Sequence, residues 1–154
     1  MAAWDPTFAE DLWTAIKARL DADGVFSTTP SLTVILKATG DPDKELDAAL
    51  GAARGSGVAV FLSMPSLSMP ERHDLGSGEF LVEIVEEPVF NRGPGGTRKT
   101  AQLLEETVVS RLLSWSHSLP ISPIVQRGAT ERPEEGQGMI RRITFGFAAF
   151  LTTT

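Results

Sequence analysis

The chain has no cysteine in 154 residues, which excludes disulfide staples, thiolate metal sites and cysteine nucleophiles together. Its only histidines are His73 and His117. Neither has a carboxylate or a second histidine at ligand spacing, so both are expected at the surface. Basic residues are in deficit, with 14 Lys and Arg against 20 Asp and Glu and a formal net charge of -6. That balance argues against a free-standing nucleic-acid binder, whose phosphate contacts require a positive surface. No apolar run approaches the roughly twenty residues that span a bilayer. The first residues, Met-Ala-Ala-Trp-Asp-Pro, lack the basic start and apolar core of an export signal. A soluble chain with no membrane partner is the expectation.

Catalytic patterns are missing as well. Ser110, Ser114, Ser116 and Ser118 crowd one helix end, without the Gly-x-Ser-x-Gly elbow that lifts a serine toward an oxyanion hole. The pairs Glu86-Glu87, Glu105-Glu106 and Glu134-Glu135 cannot both face one substrate. Neighbours on a strand point to opposite faces, and neighbours on a helix diverge by about 100°. These pairs read as solvated charge. Asp41-Pro-Asp43 reads as a helix cap, since no calcium-loop glycine and distal glutamate follow. The expectation is a protein that is not an enzyme, with no catalytic residue, no cofactor and no metal.

What is present is an ordinary apolar fraction of 42%, with 14 Gly and 10 Pro gathered into particular stretches. The length fits one domain, residues 1–154. Asp5-Pro6 and Asp41-Pro42 each place a capping carboxylate before a proline whose missing N–H costs nothing in a first turn. After the first, Ala9, Leu12, Trp13, Ile16 and Leu20 share a helical face, and Gly24 is expected to close the segment. After the second, Leu46, Ala49, Leu50 and Ala53 form a narrower stripe ending at Gly55.

Short Val, Ile and Leu-rich runs at 32–38 and 58–63 predict strands. Residues 79–87 send Phe80, Val82 and Ile84 to one side and Glu79, Leu81, Glu83 and Val85 to the other, which predicts a sheet with one wet face. Residues 99–115 predict a long helix with Ala101, Leu104, Val108, Leu112 and Trp115 as its core seam. Leu103 falls nearly opposite that seam and is a candidate for contact with another subunit. Residues 139–151 alternate as a long last strand, and 121–125 pair beside it.

Together these give an α+β fold: a single-layer, mostly antiparallel sheet packed with about three helices. Long extended loops, or arms, are expected at 64–77, 88–98 and 127–138. Loops of that length in a small domain tend either to bind something or to be disordered.

The arm at 88–98 leads into the frame from Gly93 to Thr100, where Lys99 and Thr100 stand in register for a phosphate and its magnesium. Arg98 occupies the place of the second P-loop glycine, so a degenerate nucleotide-binding loop is the minor alternative. Phe90, flanked by Arg92, has the aromatic-plus-arginine composition of interface anchors; the equal alternative is that it folds back on its own domain.

The order of strand, turn and long helix, with Pro88, Asn91, Arg92, Gly95, Gly96, Thr97, Lys99, Thr100 and Ala101 and with Trp115 at the helix end, resembles bacteriophage tail terminator and minor tail proteins. Arg98 departs from that pattern, where glycine is common. The resemblance implies a virion structural protein that closes as a ring, generally hexameric, at the head-proximal end of a tail tube. It implies contacts with sister subunits, with the tail tube protein and with a head-completion or connector protein, and assembly in the host cytoplasm. Genomic DNA would pass the lumen without specific binding, consistent with the acidic charge. A neck or head-closure adaptor, or a ring of an injection machine, belongs to the same class. The subunit-contact candidates are Phe90, Asn91, Arg92, Arg98, Lys99 and Leu103. From a different class, a monomeric module would use the loop at 64–77 on a peptide partner.

Overall fold

A computed structural model describes residues 7–28, 32–37, 57–68, 75–133 and 139–150. The apolar stripe after Thr7 forms α1 (Phe8–Asp21), whose Phe8, Leu12, Ile16 and Leu20 are fully buried. Burying a side chain of this size contributes roughly 2 kcal/mol, so packing of this stripe outweighs the few tenths per residue of helix propensity. Trp13 lies beside the stripe, and its indole N–H donates to the Leu62 carbonyl at 2.8 Å, fixing α1 to the sheet.

Gly24 does not close this helix; it opens a second one. α1 ends at Asp21, and Asp23 caps the short α2 (Gly24–Ser27) by accepting from the Val25 amide at 2.8 Å. The reason is local: an aspartate two residues after the first helix offers a better cap than a glycine stop. Asp23 also pairs with Arg111. Burial pushes the Asp23 carboxyl up, but the Val25 amide and the Arg111 guanidinium outweigh it and hold the carboxyl below the ordinary aspartate value. A group with a depressed folded pKa contributes stability that is complete above its unfolded pKa and is lost as pH falls through the folded one. Melting followed from about pH 5 to about pH 2.5 should therefore show a steeper acid-side loss in the native chain than in Asp23→Asn.

The sheet runs β1 (Ile35–Lys37), β2 (Val58–Ser63), β4 (Leu75–Glu86), β6 (Met139–Phe150), β5 (Val125–Pro133), with β3 (Ser66–Ser68) beside β4 beyond the end of β2. Only β1 and β2 pair in parallel; the other ladders are antiparallel. Two short helices and a long one complete the described elements: α2, α3 (Pro88–Arg92) and α4 (Ala101–Leu113). The α+β single sheet is as expected.

The three stretches expected as loops are more ordered. Within 64–77, β3 forms and β4 begins at Leu75, because β4 and β6 stay paired along twelve residues each. Within 127–138, residues through Pro133 belong to edge strand β5, whose polar side chains suit an exposed edge. The arm at 88–98 starts as α3 and then folds back on the N-terminus of α4. The helix expected after Asp41, together with His73, Glu134-Glu135 and 152–154, lies outside the described residues.

The main core lies between the sheet and the helices. Phe80, Val82 and Ile84 of β4 meet Leu104, Val108 and Leu112 of α4 and the buried stripe of α1. Phe80 and Phe145, directly opposite in the ladder, stack at 5.3 Å between ring centroids. The second face is only half wet: Ala59, Phe61, Val85 and Ile140 form a buried cluster there, and Glu83 answers Arg142 across the strands at 3.1 Å.

α4 stops at Leu113, short of Trp115, with Ser114 as its C-cap at φ -90 and ψ 2 and its hydroxyl donating to the Ser110 carbonyl at 2.6 Å. Trp115 still packs on the core, edge-on to His117. His117 is not a surface histidine: both its ring nitrogens are buried, without a hydrogen-bond partner among the described residues.

Candidate assembly surface

The segment 86–101 is tied by a buried polar knot. Glu86 and Glu87 are 8% and 7% exposed rather than solvated. One Glu86 oxygen accepts from the Ala101 amide at 2.9 Å and the other from the Asn91 side-chain amide at 3.1 Å. That same Asn91 nitrogen donates to the Lys99 carbonyl at 2.9 Å, and the Thr97 hydroxyl donates to the Asn91 oxygen at 2.6 Å. Thr100 caps α4 by accepting from the Leu103 amide at 3.2 Å. Nearly every polar group in the knot has its partner within the chain, the condition under which burying such groups is tolerable.

Two glycines admit the backbone at this crowded point. A Cβ on Gly57, at φ 87, would fall inside Asn91 Cα and N, and one on Gly96 would meet the Phe90 and Asn91 carbonyls. Arg98 takes a left-handed φ of 59, a conformation that costs a non-glycine residue about 1 kcal/mol. Its amide donates to the Asn91 carbonyl at 3.1 Å, which offsets part of that cost.

This geometry decides how the P-loop-like frame reads. In a phosphate loop the amides at the helix start point at the ligand. Here the Glu86 carboxylate already sits on the Ala101 amide, and Thr100 and its carbonyl take the Leu103 and Leu104 amides. A negative group occupies the place of the phosphate. Burial pulls the Lys99 ammonium below the usual lysine value. Among the described residues, no group of three His, Asp or Glu could hold a metal, and no helix is long and apolar enough to cross a membrane.

The knot holds a knob. At the tip of α3, Val89 is 66% exposed and Phe90 50%, although both lie next to buried residues. Arg92 and Arg98 flank them, exposed and with no ion pair among the described residues. The structure thus divides the six candidate contact residues. Phe90, Arg92, Arg98 and, on α4, Leu103 at 40% exposure face outward, and Lys99 is partly buried. Asn91 is 1% exposed and its side chain is taken up inside the chain, so it positions the knob and cannot itself be a contact. Sequence reasoning missed Glu86 and Gly57. Glu86 sits at the end of a strand with an acidic neighbour, and nothing local marks it as a helix cap.

No protein-family model matches the chain, and no curated protein matches it. Among solved structures, a chain from "Virion of native gene transfer agent (GTA) particle" shares the fold with a TM-score of 0.60 and 13% sequence identity. The match covers 90% of this chain and 94% of that one. At this identity the likeness is one of architecture.

Proposed function

We propose that the chain is a structural protein of a phage-like virion, a subunit of a closed ring at the head-proximal end of a tail tube. In that position it ends tube growth and offers a surface to the head connector. The observation that carries this reading is the nearly end-to-end likeness to a chain of a gene transfer agent virion. The knob supports it: an exposed aromatic on the same segment as two exposed arginines without an ion pair among the described residues, held from beneath by the Asn91 knot, has the chemistry of an interface anchor. Head-to-tail contacts whose rotation closes give rings, and a knob that enters a neighbour is one way to make such a contact. The excess of acidic residues suits a lumen through which DNA slides without adhering.

The test is to mix the purified chain with tail tubes and image them. Decoration confined to tube ends is the expected result, and decoration along the tube, or none, would sink the proposal. Phe90→Ala should weaken end-binding about tenfold or more while moving the melting temperature by no more than about 1 °C. A variant that unfolds instead would show that Phe90 serves the core.

A further inference from the structure

Between α4 and edge strand β5 runs an open groove of about 580 Å³. Val109, which packs on the core, lies at its apolar part; Gln102, Glu106 and Gln126 line it with aliphatic stems below polar ends. Its charge is unbalanced. Arg141 is gripped by two carboxylates, Glu131 directly across the ladder at 2.6 Å and Glu105 from α4, so that trio keeps one negative charge. Those contacts, the Glu131 hydrogen bond first, raise the Arg141 pKa and lock it in the charged form. Glu106 adds a second negative charge: its only contact among the described residues is a hydrogen bond from Gln102 at 3.2 Å. The knob has the opposite imbalance, with Arg92 and Arg98 in no ion pair among the described residues and the adjacent acids Glu86 and Glu87 buried.

From this match of charge, and from the apolar Val109 in the groove, we infer that the α4–β5 groove is the receptor for the Phe90 knob of a second copy of the chain. Phe90 enters beside Val109, and Arg98 meets Glu106. The nearby groove between α2 and α4 shares Glu106 with it but is smaller, about 310 Å³, and has only Val25 and Leu103 as large apolar lining. The inference rests on the assembly reading above and adds the partner surface to it.

The absence of cysteine makes the test direct. Phe90→Cys and Val109→Cys chains, mixed and oxidised, should give a covalent dimer that neither variant forms alone. Separately, Glu106→Arg and Arg98→Glu should each weaken self-association of the full chain, or its binding to tube ends, about tenfold, and the two changes in one chain should restore it to within about threefold. Assembly that persists in Glu106→Arg, with no crosslink, overturns the groove while leaving the ring standing and points to a different virion protein as its occupant. A chain that neither self-associates nor binds tube ends removes both.

Discussion

Asn91→Ala is expected to lower stability by about 4 kcal/mol, roughly 12 °C of melting temperature for a chain of this length. The side chain is buried and serves three partners: the Glu86 carboxylate, the Lys99 carbonyl and the Thr97 hydroxyl. Truncation leaves these polar groups in a site that water reaches poorly, and an orphaned buried polar group costs about 1–3 kcal/mol. Asn91→Asp should be at least as damaging, because it sets a second carboxylate against Glu86 and removes the two donated hydrogen bonds. Thermal melts of both variants check this. A drop below about 2 °C for Asn91→Ala would mean that the knot contributes little, and the knob would then have no rigid base.

Gly57→Ala should rival it, at about 4 kcal/mol, although the change adds a single methyl. The new Cβ points into the Asn91 backbone, which is held on both sides by Glu87 and Arg98, and φ at this residue is 87. Overpacking against backbone costs about 1–3 kcal/mol, and the left-handed conformation adds about 1–2 kcal/mol. Gly95→Ala is the matched control. It also has positive φ, at 82, but nothing lies near its would-be Cβ, so only the conformational part should be lost. Equal melting temperatures for the two variants would refute steric closeness as the reason for Gly57.

How far a feature is legible in the sequence depends on the range of the interaction that makes it. The core faces of α1 and α4 and the alternation of β4 and β6 were legible because burial repeats along the chain at 3.6 or 2 residues. Strand β5 was not, since an exposed edge strand has polar side chains and looks like a loop until its partner is known. Gly24 misled because one glycine serves equally as a stop and, after an aspartate, as a first helical residue. At the assembly surface, Phe90 and its arginines could be picked out by composition. The burial of Asn91 could not, for it depends on Glu86, Thr97 and Lys99 closing around it from three directions. The acidic groove was invisible for the same reason, as Glu105, Glu131 and Arg141 meet only across α4, β5 and β6.

The knot joins the entry to β2, the exit of β4 and the first turn of α4 through the Glu87–Gly57 backbone bond and the Glu86 and Asn91 side chains. Those pieces lie far apart along the chain, so the sticky tip above them is set in place only after the sheet and the long helix have docked. A half-folded copy therefore lacks that tip. Completion of the fold is thereby written into the same bonds that shape its exposed apolar tip.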